Sequence, residues 1–244
     1  MLQFSLVEQI VLALLLLSGI SFFLYHLLLR LRIVLKGKSN FSVDELPKRI
    51  IRVFDEVILH KKVASGKRKS AGILHALVMY GFIFFGLITI NHFGMAFGLP
   101  IFSESFRHTY FLIFGAPWAI LCTIGILGLA YRRFVIKPEA LGKFSSTSAL
   151  VSVFIVTLMT TYLIDELHIL TGAAEKFNWW LHSGVIGGFL FLIPQSKHMH
   201  LVLSPFNIFL RPFEVPNHGA IPIDMEASEE ELDNLLLDLS LIHI

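Results

Sequence analysis

Eleven residues of this 244-residue chain are histidines, and several lie where long apolar stretches begin or end. His75 and His92 lie near the two ends of one such stretch, and His182 and His200 lie near the two ends of another. Ionisable side chains at membrane depth cost free energy, so they normally face the interior of a helix bundle and serve a function. One imidazole from each of two facing helices can hold a b-type haem. Two such pairs therefore predict two stacked haems, an inner one on His75 and His200 and an outer one on His92 and His182.

The spacing of His182 and His200 supports this interpretation. The two residues are 18 positions apart, which at about 100° per residue is five whole turns of one helix and places both on one face. His198 lies about 160° away from that face, so it is the fallback ligand for His200. A flat macrocycle needs a helix surface without bulky side chains. The glycines between the two histidines could provide it: Gly184, Gly187 and Gly188.

The apolar stretch that carries His75 and His92 fits the two-haem interpretation less well. His75 and His92 are 17 positions apart, which leaves them about 100° out of phase on an ideal helix. Either this helix is distorted, or the outer ligand comes from His108 or His168 instead, so His92 is the least certain of the four. Gly81 and Gly86 could give the macrocycle room here. Four other histidines are expected to be ordinary interfacial or surface residues: His26, His60, His218 and His243.

The composition narrows the class of protein. Apolar residues make up 55% of the chain and charged residues only 16%, well below the charge that a soluble globule uses to cover itself. This excludes a soluble enzyme, a nucleic-acid-binding module and a disordered tail. One cysteine, Cys122, cannot form an internal disulfide, a four-thiolate iron–sulfur cluster or a structural zinc site. We therefore expect no iron–sulfur cluster in this chain, and histidines are the candidates to hold a redox centre.

The elements that position the histidines are predicted to be five membrane-spanning helices, because about 20 apolar residues cross the hydrocarbon core. Five stretches without Asp, Glu, Lys or Arg qualify: Gln9–Leu29, Ala71–Ser103, His108–Tyr131, Phe144–Ile164 and Phe177–Ser196. Eighteen of the 20 basic residues lie in segments 30–70, 132–145 and after 195, and only Arg107 and Lys176 lie in the other loops. The positive-inside rule then places the N-terminus outside and the C-terminus in the cytoplasm. The predicted fold is an all-α five-helix membrane bundle.

Two cytoplasmic segments are expected to have structure of their own. Ser42 and Glu45 have capping-box spacing and precede apolar residues at helical intervals, which predicts an amphipathic helix on the inner leaflet, or else a solvated connector. Four prolines in 204–224 predict an extended tail, followed by a short acidic helix. The expected organisation is a first span in 1–30, a basic loop in 31–70, a four-helix haem-binding core in 71–203 and a tail in 204–244.

Several runs of residues resemble known membrane cytochromes. The run Pro194-Gln-Ser-Lys-His-Met-His200, the earlier Trp180-Leu-His182-Ser-Gly and the opening Gly72-Ile-Leu-His75-Ala resemble ligand-bearing helices of the gamma (cytochrome b) subunit of respiratory nitrate reductases. A closer likeness is to the membrane domain of heterodisulfide-reductase-like iron–sulfur proteins, including electron-transfer-flavoprotein:menaquinone oxidoreductases. There the phrase Ser196-Lys-His-Met-His200-Leu-Val-Leu-Ser-Pro205 is typical. The resemblance covers residues 70 to about 235.

The resemblance implies haem b, with two expected and at least one present, and membrane quinone as the substrate. His75, His182 and His200 carry over as axial ligands by position. His92 does not carry over cleanly, because the two second-helix histidines of that family lie closer together. The family's cysteine-rich cluster domain is missing, so the chain is expected to be a truncated form or a subunit whose iron–sulfur partner is separate. That partner would lie on the cytoplasmic side of a bacterial or archaeal inner membrane.

Two functions of different classes follow. The first is a membrane-anchoring dihaem cytochrome b that passes electrons between a (mena)quinone pool and an iron–sulfur oxidoreductase, with no role for nucleic acid. As such it would be the electron-transfer component of a quinone-linked complex. The alternative is a haem-free anchor or small transporter whose histidines bind a metal or protons. Transporters tend to carry charged residues at mid-span and inverted repeats, and this sequence shows neither.

Overall fold

The computed structural model describes residues 2–34, 45–61, 69–142, 144–211 and 213, and these contain helices and no strand. The described residues form eight α-helices: α1 Leu6–Val34, α2 Leu46–Val53, α3 Lys69–Ala96, α4 Glu104–Tyr110, α5 Ala116–Tyr131, α6 Ser146–Glu166, α7 Gly172–Leu192 and α8 His200–Leu210. Wider π-helical turns continue three of them: Phe54–Ile58 after α2, Phe111–Gly115 between α4 and α5, and Arg132–Ile136 after α5. Short 3₁₀ turns occupy Glu139–Leu141 and Lys197–Met199. The expectation of an all-α chain is confirmed for the described residues.

Four helical stretches of the described chain are long and apolar enough to cross a membrane: Leu6–Ile33, Lys69–Ala96, Glu104–Ile136 and Ser146–Glu166. They overlap the first four predicted spans, although the second predicted span ran on to Ser103 and the fourth began at Phe144. The fifth prediction corresponds to α7, which has 21 residues but carries polar side chains between its N-terminus and its centre, among them Asn178, His182 and Ser183. The count of five spans and the orientation stay predictions.

The chain divides into two compact units, and the first comprises Met1–Ser21 with Lys62–Leu192. Within it α3 packs against α5, α5 against α6, and α6 against α7. Gly125 lets α3 and α5 approach closely, since a Cβ there would lie 2.8 Å from the carbonyl oxygen of Leu74. Serine side chains cap the N-termini of two helices. Ser103 Oγ accepts the Phe106 N–H at the start of α4, and Ser145 Oγ accepts the Ser148 N–H at the start of α6. These caps satisfy backbone donors that have no partner within the helix.

The helix that carries His182 ends earlier than expected. α7 stops at Leu192, two residues before Pro194, because proline lacks an N–H donor and disfavours helical backbone in the residue before it. His200 begins a separate helix, α8. The expectation that His182 and His200 share one face of one continuous helix is therefore wrong. Residues 204–210 are helical rather than extended, since α8 accommodates Pro205 within it and buries Leu203.

The second unit comprises Phe22–Lys61 with Ile193–Ile244, and in it α2 packs against α8. Buried Arg49 donates to the Phe209 carbonyl at 2.8 Å and to Glu45 at 2.7 Å, while Arg52 donates to the Arg211 carbonyl at 2.6 Å. The apolar side of α2 is instead exposed, with Ile50 55%, Ile51 60% and Phe54 52% accessible. The arginines thus hold the C-terminal carbonyls of α8, and the apolar side is left for contact with lipid or protein. Ser42 of the predicted capping box lies outside the described residues.

Candidate functional site

His92 of α3 and His182 of α7 face each other in the first unit. Their ring centroids are 4.9 Å apart with an interplanar angle of 55°. The sequence predicted this outer pair, although the spacing of His92 relative to His75 made it the weakest member. The α3 helix is continuous from Lys69 to Ala96, so the two histidines of α3 lie on different faces of it, and His92 reaches α7 without distortion of the helix.

A threonine on α6 determines which nitrogen of His182 carries the proton. Thr161 Oγ1 lies 2.7 Å from the carbonyl oxygen of Thr157 and 2.7 Å from His182 Nδ1. Two oxygens at this separation need a proton between them, and Thr161 has one hydroxyl proton. That proton points to the Thr157 carbonyl, so His182 Nδ1–H donates to Thr161 Oγ1. In the neutral ring Nε2 is then the unprotonated nitrogen, as metal coordination requires.

Asn178, which lies one turn before His182 on α7, reinforces the contact between α6 and α7. Asn178 Nδ2 donates to the Thr161 carbonyl oxygen at 2.9 Å, and both residues are buried. Asn178 and His182 are four positions apart on α7, so they lie on the same side of the helix. Both side chains therefore bind the same residue of α6, and this fixes the register of the two helices at the level of His182.

The ring of His92 is enclosed by α7 and by the start of the chain. His92 Nε2 lies 3.0 Å from the Oγ of fully buried Ser183. The ring stacks on Trp179 at 4.6 Å and 15°, and Phe4 packs on the same indole at 4.4 Å. An aromatic wall therefore covers the outer pair on the side of Trp179.

Two further polar contacts hold the C-terminal end of α3. Buried Asn91 accepts the backbone N–H groups of Ile101 and Phe102 at 2.9 and 3.0 Å, which folds the following loop back onto the helix. Gln9 of α1 donates to the Ala96 carbonyl at 2.9 Å, which satisfies an acceptor at the end of the helix. These contacts position the last turn of α3 and with it His92.

The alternative outer ligands lie elsewhere in the described chain. His108 is exposed on α4, and His168 is exposed in the turn after α6, where its φ of 49° is left-handed. Neither is packed into the interior as His92 and His182 are. Of these candidates, the structure brings His92 to His182.

The inner pair is divided between the two compact units. His75 is half-buried on α3 of the first unit, and His200 is exposed at the start of α8 in the second. His200 Nδ1–H donates to the Lys197 carbonyl at 2.8 Å, so that in the neutral form of the ring Nε2 is the unprotonated nitrogen. The fallback, His198, places Nδ1 3.2 Å from Ser196 Oγ. The pairing of His75 with His200 stays a prediction.

Most of the glycines expected to make room for a macrocycle serve helix packing. A Cβ at Gly187 would lie 3.0 Å from Leu15, at Gly188 2.8 Å from Phe154, and at Gly81 2.8 Å from Cys122 Sγ. A Cβ at Gly86 or Gly184 would meet no heavy atom within 4 Å. The glycines between His182 and His200 are thus not one open surface.

Comparison with known proteins gives one informative relative. The chain is 28% identical to the "Probable iron-sulfur-binding oxidoreductase FadF" of Bacillus subtilis (strain 168), over an alignment of 226 residues. The alignment covers 80% of this chain and 32% of that protein, so the chain spans about a third of the length of the relative it matches. No family model matches the chain, and no solved structure matches it. The chain is therefore similar to part of an oxidoreductase named as iron–sulfur-binding.

The outer pair has the donor set of a bis-histidine haem site. An imidazole nitrogen binds a transition metal at about 2 Å, so two histidines that would hold one iron need ring centroids about 6 Å apart. The observed 4.9 Å is shorter, so the two rings would have to separate by about 1 Å to take a metal between them. His182 has the required tautomer, and His92 would exchange its contact with Ser183 for the iron. The residues present fit the group. Within the described residues, no group of three or more His, Cys, Asp or Glu side chains is placed to hold a metal ion.

Sequence reasoning missed the residues that support the histidines. Thr161, Asn178, Ser183 and Trp179 are buried in contact with the outer pair or with one another. A signal did exist for Asn178, since a polar residue four positions before His182 in a predicted span must share its face. Thr161 gave no such signal, because a single threonine in an apolar span can satisfy its hydroxyl on its own helix.

Proposed function

We propose that this chain is a membrane-anchoring cytochrome b subunit or domain. It passes electrons between a membrane quinone pool, most simply menaquinone, and an iron–sulfur oxidoreductase partner on the cytoplasmic side of a bacterial or archaeal membrane. The observation that carries the proposal is the outer histidine pair, in which His92 and His182 from two helices face each other at 4.9 Å. Two facing imidazoles at membrane depth are the ligands that a b-type haem requires.

In this proposal His92 and His182 hold the outer haem, and His75 and His200 hold the inner one. Haem b, when bound, takes up and releases one electron at a time. The chain's own residues do the rest. The hydrogen bond from His182 to Thr161 orients one ligand, the stack of His92 on Trp179 orients the other, and the apolar helices exclude water. Neither histidine is required to act as an acid or a base.

The iron–sulfur partner is proposed from two considerations. The chain has a single cysteine, buried Cys122, and so cannot supply four thiolates to a cluster. The Bacillus subtilis relative is named as a probable iron–sulfur-binding oxidoreductase and is about three times as long as the aligned part. A cluster-bearing domain or subunit would then act together with this membrane part. Electron exchange would occur on the side to which the basic loops and the tail belong.

The test is the haem content of the purified chain and of matched histidine variants. Haem is measured per polypeptide by pyridine haemochrome, with reduced-minus-oxidised spectra in detergent. We expect two b-type haems in the unaltered chain, and the loss of one in both His92→Ala and His182→Ala. Exposed His108 provides the control, and His108→Ala should keep both haems.

A haem-free chain from haem-replete cells would contradict the proposal and favour the anchor or transporter. A haem-loaded chain that menaquinol cannot reduce, under conditions where dithionite can, would contradict the quinone part alone. If His182→Ala loses a haem while His92→Ala keeps both, the outer ligand opposite His182 is a different residue.

A further inference from the structure

The side chain that determines the state of His182 lies on a helix to which the sequence assigned no ligand. Thr161 is 4% exposed in the middle of the contact between α6 and α7. Its hydroxyl lies 2.7 Å from the Thr157 carbonyl, the nearest acceptor on its own helix, 3.2 Å from the Leu158 carbonyl and 2.7 Å from His182 Nδ1. His182 also forms a hydrogen bond with the Leu158 backbone. Its carbonyl accepts the amide of Asn178 at 2.9 Å. One residue of α6 thus binds two side chains of α7.

The hydrogen bond from the Thr161 hydroxyl to the Thr157 carbonyl determines which side chain donates in the contact between Thr161 and His182. Because the hydroxyl proton is directed at the Thr157 carbonyl, Oγ1 presents only lone pairs to the imidazole. His182 must therefore donate from Nδ1, and the opposite nitrogen keeps its lone pair. A partner that accepts the N–H of a metal-bound imidazole makes the ring a stronger donor and fixes its orientation.

We propose that Thr161 is the positioning residue for the outer haem, setting the tautomer, ring orientation and donor strength of His182, with Asn178 holding Thr161 in place. This inference rests on the proposed function, since it concerns the haem that His182 would ligate. Thr161 itself does not contact the iron. It acts through the imidazole, so its removal changes the properties of the outer haem and leaves the inner haem unaltered.

The experiment compares three threonine variants of the full chain. Thr161→Val keeps the shape and removes the hydroxyl, and Thr161→Ser keeps the hydroxyl. Thr123→Val is the matched control, because Thr123 makes the same 2.7 Å bond to a carbonyl of its own helix, that of Ala119 in α5, and has no hydrogen bond to a histidine of the described chain. Haem stoichiometry, the midpoint potential of each haem and the electron paramagnetic resonance signal of the oxidised protein are measured on each.

We expect Thr161→Val to bind the outer haem about 10- to 100-fold more weakly. Its midpoint potential should rise, because a weaker donor stabilises the oxidised iron less. For each tenfold by which affinity for the oxidised haem falls more than affinity for the reduced haem, the potential rises by about 59 mV. The outer-haem resonance signal should shift as well. Thr161→Ser and Thr123→Val should match the unaltered chain. Thr161→Ala replaces Thr161→Val if the latter does not purify as a single species.

The failures of the two proposals can be told apart. An unaltered chain without haem contradicts the proposed function and this inference together. An unaltered chain with haem, whose Thr161→Val variant matches Thr123→Val in outer-haem content and potential, contradicts this inference alone. A Thr161→Ser variant that behaves like Thr161→Val also overturns it, since packing of the methyl group would then be the cause.

Discussion

The contact of α5 with α3 offers a direct test of the packing that supports His75. A Cβ added at Gly125 would lie 2.8 Å from the Leu74 carbonyl oxygen and 3.1 Å from the Leu77 Cβ. The nearest atom belongs to the backbone, so no rotation of a side chain can relieve the contact. Gly125→Ala must therefore push α3 and α5 apart at the peptide that precedes His75.

The size of the effect follows from comparison with a glycine that has room. Overpacking of a close contact costs about 1–3 kcal/mol, and replacing glycine by alanine inside a helix gains up to about 1 kcal/mol. Gly184 of α7 provides the control, because a Cβ there meets no heavy atom within 4 Å. The helix-propensity gain is common to both variants, so Gly125→Ala should be less stable than Gly184→Ala by about 1–3 kcal/mol.

The assay is unfolding of each detergent-purified variant, followed by helix content, together with its haem content. We expect Gly125→Ala to unfold more readily and to lose haem from the site that includes His75. Equal free energies of unfolding for Gly125→Ala and Gly184→Ala would show that α3 and α5 are not in close contact here. That result would refute the packing argument.

Two further predictions concern the other unit and the aromatic wall. Arg49→Met removes charged hydrogen bonds to Glu45 and to the Phe209 carbonyl. It should destabilise the α2–α8 contact by about 1.5–3 kcal/mol, measured as faster protease cleavage after α8. The control is Lys61→Met, which breaks an exposed ion pair and should cost less than about 1 kcal/mol. Trp179→Ala should lower the free energy of unfolding by about 3–5 kcal/mol, whereas half-buried Trp180→Ala should lower it less, as thermal unfolding of both variants would show.

Several features of this protein could be predicted from composition and spacing. Long apolar stretches predicted helices, and the first four of them coincide with helical stretches long enough to cross a membrane. The physical reason is that a helix satisfies its own backbone hydrogen bonds, so an apolar run in lipid has little choice of structure. The outer histidine pair was also proposed from position along two apolar stretches, and the structure places His92 near the end of α3 in contact with His182 at the centre of α7.

The prediction from residue spacing was wrong where the helix is not continuous. The 18 residues between His182 and His200 imply a shared face only if one helix carries both, and α7 ends at Leu192 before Pro194. The effect of a proline depends on what surrounds it. Pro194 follows the end of α7, whereas Pro205 is accommodated within α8. A sequence pattern does not distinguish these outcomes. The free-energy cost of the backbone hydrogen bond that proline removes can be offset by packing against residues distant in the sequence, and the pattern does not show that packing.

Composition and pattern were enough to predict that the chain is helical and apolar, with histidines near the ends of its apolar stretches. Which of these histidines contact each other, and which residues support them, depends on how the helices pack. His92 meets His182 because α3 and α7 are brought together, and Thr161 reaches His182 from α6 because Asn178 holds the two helices in register. Such contacts join side chains on different helices, and a hydrogen bond of 2.7 Å forms only where packing brings the two helices to that separation.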